Sequence, residues 1–245
     1  MKPASRTGCK AKNRLGHEPF LRSNAAFVKQ FCSMLKPLTP RHLQKAVREL
    51  CAIDRRFEKI VGRHGTPTLR PMPDGLEGLL LTVTEQFLSL KAAAVIWGRL
   101  KERLHPLLPE TVLQCPIVEL KALGLSGAKA SSFHGIAGAI HCGSLEPAGL
   151  SELADYEVRR QLLLLPGVGP WTADIYLLAA LQRPDVWPWG DIALQLSAKN
   201  LFELAERPGK HEMLALSEPW RPWRSVAARL LWSHYRGLKG MKQAQ

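Results

Sequence analysis

From Asn24 onward the chain is a succession of apolar residues recurring every three or four positions, interrupted by Pro and Gly, with no sustained alternation of apolar and polar residues. A recurrence near 3.6 lines one face of a helix, whereas a half-buried strand needs a recurrence of two, so the chain is expected to be all-α. Helices are predicted over about 24–35, 40–51, 54–63, 75–86, 89–104, 110–114, 116–123, 126–142, 151–164, 170–182, 191–201, 209–216 and 222–236. Several boundaries have a chemical cause. Thr39-Pro40 puts a cap and a proline at a first turn, Ser126 can cap the helix carrying Lys129, and Gly124 and Gly143 stand where helices end.

Charge narrows the partners. The 245 residues hold 34 Lys+Arg against 21 Asp+Glu, a net +13, which calls for a polyanion but does not choose between DNA, RNA and an anionic membrane. No apolar run approaches the roughly 18 residues of a membrane span, and Met1 to Phe20 is basic without an apolar core, so a cytoplasmic protein is expected. Cys9, Cys32, Cys51, Cys115 and Cys142 are scattered, odd in number and without a C-x-x-C pair, which fits a reducing compartment. His134, His141 and Cys142 have no zinc-ligand spacing. Residues 1–22 carry Lys2, Arg6, Lys10, Lys12, Arg14 and Arg22 against Glu18 alone, and read as a basic flexible arm, either a further phosphate contact or a solvated tail.

One stretch carries chemistry. In Leu165-Pro-Gly-Val-Gly-Pro-Trp-Thr-Ala-Asp174, Gly167 and Gly169 permit a tight turn between two amphipathic helices and leave amide N–H groups bare at a helix start, where the dipole also favours an anion. Thr172, in the first turn, is a candidate hydroxyl contact to a phosphate. About twenty residues on, Asp191 follows the rigid corner Trp187-Pro188-Trp189-Gly190. Two roles are open to it and compatible: a fixed charge at a reaction centre, or the N-cap of the helix starting at Ile192. Leu120 to Ala130 repeats the helix, glycine turn, helix pattern weakly, as a diverged copy or an ordinary connection.

The order hairpin, amphipathic helix, loop, Asp resembles the helix-hairpin-helix (HhH-GPD) DNA glycosylase superfamily. Met72 to Ala92, with Gln86, and Pro219 to Ala227 with Trp232 resemble further segments of its AlkA-type 3-methyladenine DNA glycosylase II branch. The resemblance covers about residues 40–236. It implies two helical lobes with an active-site cleft between them, one lobe from residues 23–71 with 186–240 and the other from 72–185 carrying the hairpin. It further implies a monomeric enzyme on damaged double-stranded DNA, hydrolysing the glycosidic bond of alkylated bases of the 3-methyladenine and 7-methylguanine type in base excision repair.

By that resemblance Asp191 is catalytic, and Trp171, Trp189 and Trp232 line the base pocket, with core filling the other role open to Trp232. Phe87 stands where relatives insert a wedge into duplex DNA, although a Phe in an apolar helix-turn context is equally a core residue. Trp171 occupies the place of the catalytic lysine of bifunctional relatives, so strand cleavage should be absent. No cysteine lies beyond Cys142, so the iron-sulfur cluster of one branch is not expected. The main-chain carbonyls of Leu163, Leu165 and Val168 correspond to the family's monovalent-cation site, and no other cofactor is implied. Ile175 and Ile192 stand where the AlkA-type branch has tyrosines, so a less aromatic pocket is expected, and the stretch before Thr39 is too short for that branch's amino-terminal β-rich domain. The competing readings are a glycosylase of the same fold for mismatched, oxidised or deaminated bases, and a non-catalytic helix-hairpin-helix DNA-binding protein.

Overall fold

The computed structural model of the chain describes residues 36–243, with side chains to residue 240. The basic arm at 1–22, the helix expected at 24–35, Cys9 and Cys32 lie outside the described residues. Within them every regular element is helical.

The helices are α1 (Pro40–Ile53), α2 (Arg56–His64), α3 (Gly75–Glu85), α4 (Leu90–Arg103), α5 (Pro109–Gln114), α6 (Ile117–Ala122), α7 (Gly127–His141), α8 (Asp155–Leu162), α9 (Pro170–Ile175), α10 (Ile192–Leu201), α11 (Lys210–Ser217) and α12 (Arg224–Gln243). Short 3-10 turns at Pro147–Glu152 and Glu218–Trp220 precede α8 and α12. Capping explains several starts. Thr39 Oγ1 accepts the His42 N–H at 3.2 Å, Ser89 Oγ that of Ala92 at 3.2 Å, and Ser126 Oγ that of Lys129 at 3.3 Å. Along α1, Leu43, Ala46, Val47 and Leu50 are buried, the i, i+3, i+4, i+7 stripe that the periodicity demanded.

The helices fall into two groups. α12 packs on α10, α2 and α1, whereas α7 packs on α5, α6 and α3, and α3 also meets α4 and α9. Trp220 anchors the first group: it is buried edge-on against Phe57 at 5.2 Å and Trp187 at 5.4 Å between ring centroids.

Two expected helices are shorter than the periodicity implied. Residues 151–154 belong to the 3-10 turn and its exit rather than to α8. The helix expected over 170–182 is α-helical only to Ile175 and then widens into a π turn, Tyr176–Ala180, where the Leu181 N–H donates to the Tyr176 carbonyl at 3.1 Å. All five residues of the turn, Tyr176-Leu-Leu-Ala-Ala180, are apolar or aromatic, so they carry no periodicity that could separate the two helix types. The region of the π turn ties in two distant segments: the Met72 N–H donates to the Ala179 carbonyl at 3.0 Å and the Leu38 N–H to the Gln182 carbonyl at 2.8 Å. Tyr176 itself is buried and accepts the Gly75 N–H at 2.9 Å. The start of α3 and the entry to α1 are thereby fixed against one helix.

Candidate active site

The hairpin between α8 and α9 is pressed against α7, and its two glycines do different work. Gly167 has φ +75°, the left-handed region that favours glycine, and a Cβ there would lie 1.9 Å from Ser132 Oγ on α7. On the facing side, a Cβ on Gly135 of α7 would lie 2.0 Å from Pro166 Cγ. Gly169 has φ −93°, which any residue adopts, and a Cβ there meets no atom within 4 Å. The fold therefore requires glycine at 167. At 169 it does not, and what glycine leaves there is an open approach to the start of α9.

Thr172 is not available to a phosphate, contrary to the expectation above. It is 2% exposed, and its hydroxyl accepts a hydrogen bond from Gln86 Nε2 at 2.8 Å, while the same Nε2 donates to the Gly167 carbonyl at 2.9 Å. Helical phase turns Thr172 inward, and Gln86, at the end of α3, uses it to grip the hairpin.

Behind the hairpin sits a buried ion pair. Asp174 on α9 is 3% exposed and is held by the guanidinium of Arg159 on α8. Burial pushes its carboxyl up to about 6, and the Arg159 charge and hydrogen bond pull back against that rise. The segment leading to Asp191 is fastened likewise. Asp185, itself buried, accepts from Arg221 at 2.6 Å and Arg224 at 2.7 Å, and Ser225 Oγ accepts the Val186 N–H at 2.9 Å.

From there the chain turns twice. The Trp189 N–H donates to the Trp187 carbonyl and the Asp191 N–H to the Pro188 carbonyl, both at 2.9 Å, while buried Trp187 donates its indole N–H to the Met213 carbonyl at 2.9 Å. Asp191, at the end of this corner, is half-buried and caps α10 through Oδ1, which accepts the Leu194 N–H at 2.9 Å. Two indoles complete its surroundings: Trp171 Nε1 donates to Oδ2 at 2.8 Å, and Trp232 Nε1 donates to Oδ1 at 3.1 Å. A carboxylate has about four acceptor positions. Three are filled by neutral donors that fix its orientation, and the remaining one is on Oδ2.

Asp191 is therefore both a cap and a held carboxylate, and the structure gathers Trp171 and Trp232 around it. Trp189 is placed differently, with Lys210 Nζ 5.2 Å from its ring centroid. Ile175 is buried, and Ile192 is exposed beside Asp191. Phe87 is 96% exposed, so it is no part of the core. The carbonyls of Leu163, Leu165 and Val168 all belong to the hairpin, and that of Leu165 accepts the Val168 N–H at 3.2 Å. A separate cavity of about 630 Å³, lined by Ile53, Arg56, Phe202, Leu204, Leu216 and Trp220 among others, lies at the other end of α10, some 15 Å along the helix axis from Asp191. Sequence reasoning missed Arg159, Asp174 and Lys129; only the charged residues on apolar helix faces hinted at the first two.

Residues 80–222, from within α3 to the turn before α12, match the family described as HhH-GPD superfamily base excision DNA repair protein. The chain belongs to that superfamily. The match takes in the hairpin and Asp191, whereas Trp232 lies beyond it and is brought to the carboxylate by the packing of α12 on α10. Among its relatives, YfjP of Bacillus subtilis is 36% identical over 124 residues, 51% of this chain, and the chain spans 43% of that relative's length. DNA-3-methyladenine glycosylase 1 of Schizosaccharomyces pombe is 30% identical over 198 residues, 78% of this chain and 86% of the relative. The solved structure of the S. pombe 3-methyladenine DNA glycosylase Mag1 in complex with abasic DNA superimposes with a TM-score of 0.69 at 29% identity, covering 77% of this chain and 95% of Mag1.

Two outcomes test this geometry. Gly167→Ala meets both a strained φ and the Ser132 side chain, so it should lower stability by about 1–3 kcal/mol in denaturant unfolding, whereas Gly169→Ala should stay within about 0.5 kcal/mol of wild type. The second follows from Asp174, whose folded-state value of about 6 lies above its unfolded 3.8. Its contribution is fully present below the unfolded value and is lost as pH rises through the folded one. Measured against Asp174→Asn, wild type should lose relative stability between about pH 4 and pH 6; a flat difference across that window would contradict the burial assigned to this carboxyl.

Proposed function

We propose that this HhH-GPD protein is a monofunctional DNA glycosylase that hydrolyses the N-glycosidic bond of alkylated bases, of the 3-methyladenine and 7-methylguanine type, in base excision repair. The observation that carries the reading is the Asp191 carboxylate, oriented by Trp171, Trp232 and the α10 amide with one acceptor position left on Oδ2.

The chemistry suits a single carboxylate. An N-alkylated purine is cationic, so its glycosidic bond is weakened and the base leaves neutral without a strong general acid. Positive charge then grows on the deoxyribose, and a preorganised Asp191 stabilises it while the free Oδ2 position orients water for attack. Because both indole edges are tied to the carboxylate, the faces of Trp171 and Trp232 are the surfaces a flipped cationic base would meet, with a cation-π contribution of about 1–2 kcal/mol. Trp171 offers no amine, so no Schiff base forms and the product is an intact strand with an abasic site.

DNA contact is assigned to the bare backbone around Gly169 and to Phe87, whose exposed ring suits insertion into the gap left by the extruded base. Exposed Leu88 and Leu90 extend that apolar edge. The carbonyls of Leu163, Leu165 and Val168, uncharged oxygens in one turn, are the donor type a monovalent cation takes. An ion held there would help the hairpin grip a phosphate oxygen. We place the enzyme in the cytoplasm, as a monomer on the nucleoid; no described helix is long and apolar enough to cross a membrane.

Mass spectrometry of bases released from methylated duplex DNA is the deciding experiment. Wild type should release alkylpurines without nicking the strand, and Asp191→Asn should lose at least about a hundredfold in single-turnover rate, in keeping with removal of a preorganised charge. Release by neither protein would leave Asp191 as a cap in a DNA-binding module; preferential release of oxidised or mismatched bases would move the substrate class. Affinity for undamaged duplex should fall steeply with salt. Gly169→Val should weaken binding to damaged and undamaged duplex alike, and salt-independent binding would contradict the phosphate role.

A further inference from the structure

The turn after α3 holds a conformation that its own sequence resists. Phe87 has φ +56°, in the left-handed region that a bulky L-residue adopts only at a cost in strain. Its ring is 96% exposed, so packing against the protein does not offset that cost. Local bonds are thin and long: the Gln86 N–H donates to the Val83 carbonyl at 3.3 Å and the Leu88 N–H to the Glu85 carbonyl at 3.2 Å.

The turn is held from outside. Lys129, half-buried in the first turn of α7, donates from Nζ to the carbonyl of Thr84 at 2.9 Å and to that of Gln86 at 2.7 Å. These carbonyls belong to the carboxy-terminal end of α3, where helix geometry leaves acceptors unsatisfied and the dipole favours a cation. From the other side the Gln86 side chain reaches into the hairpin, to the Gly167 carbonyl and the Thr172 hydroxyl. The residue carrying the exposed ring is thus flanked by one that α7 and the hairpin grip from opposite directions. A lysine spent on two main-chain carbonyls is costly as mere filler, since burial also disfavours its charge and lowers its pKa.

We infer that Lys129 is a positioning residue that presets Phe87 for entry into the duplex by clamping the carbonyls of Thr84 and Gln86. This rests on the reading of Phe87 as the inserting side chain. Its action runs through Phe87, so it should govern unstacking of the target base and leave general DNA affinity alone.

The test uses the full chain and a duplex with 2-aminopurine beside a 7-methylguanine, whose fluorescence rises as the stack opens. Lys129→Met should slow the fluorescence rise and the single-turnover base release about tenfold, the scale expected for losing charge-assisted hydrogen bonds, while affinity for undamaged duplex stays within about twofold. Lys129→Arg, which keeps a cationic donor, should recover most of the rate. Phe87→Ala should show a comparable loss, and Lys129→Met added to Phe87→Ala should cost nothing more, because both act through one ring. Unaltered unstacking in Lys129→Met, or additive losses in the double variant, would overturn the inference. Should Lys129→Met fail to fold, as judged by thermal melting, Lys129→Gln, which keeps a neutral donor, carries the same comparison. A wild type that releases no alkylated base would instead sink the glycosylase reading, so the two failures are distinguishable.

Discussion

Three neutral donors converge on the Asp191 carboxylate: the Leu194 amide of α10, the indole of Trp171 on α9 and the indole of Trp232 on α12. Each comes from a different helix, and α9 and α12 belong to the two different groups. A carboxylate satisfied this way reports on the placement of both groups at once, because moving either helix by an ångström breaks a hydrogen bond to a partly buried acceptor. The cap bond that starts α10 also fixes the rotamer that presents Oδ2.

The supports behind that carboxylate are electrostatic where it needs rigidity and steric where it needs close approach. Asp185 holds the corner to α12 through Arg221 and Arg224, and Asp174 holds α9 to α8 through Arg159. Buried pairs of this kind add little net stability, yet deleting one partner is expensive because the other is left uncompensated, so they favour a single geometry over depth of stability. The hairpin is located by contact. Gly167 and Gly135 each surrender a side chain so that two backbones can approach across α7 and Pro166.

The same hairpin also receives Gln86, whose neighbour Phe87 is the most exposed large apolar residue of the described chain. The glycine hairpin, the exposed ring and the carboxylate are consequently linked through short covalent and hydrogen-bonded paths: Thr172, which accepts the Gln86 bond, is adjacent in sequence to Trp171, which donates to Asp191.

Much of this was legible in one dimension. Periodicity, prolines at first turns and Ser or Thr caps located the helices closely, because those signals act within a turn or two of the chain. The glycine hairpin and the Asp at the end of an aromatic corner were equally local. The roles of particular side chains were not. Thr172 read as a phosphate ligand because a first-turn hydroxyl is chemically suited to it, but only the packing of α3 decides that its oxygen faces Gln86. Phe87 was open between core and wedge, Trp232 between core and pocket, and the π turn at Tyr176–Ala180 was indistinguishable from α-helix, since its five residues are uniformly apolar or aromatic and show no period. Lys129 was only a residue of a helix that Ser126 caps until the tertiary structure brought it to carbonyls more than forty residues earlier in the chain. The sequence alone determined which segments coil and which turn, because those choices depend on neighbouring residues. The tertiary structure decided which groups face one another, because that depends on how helices distant in the chain bury their apolar stripes.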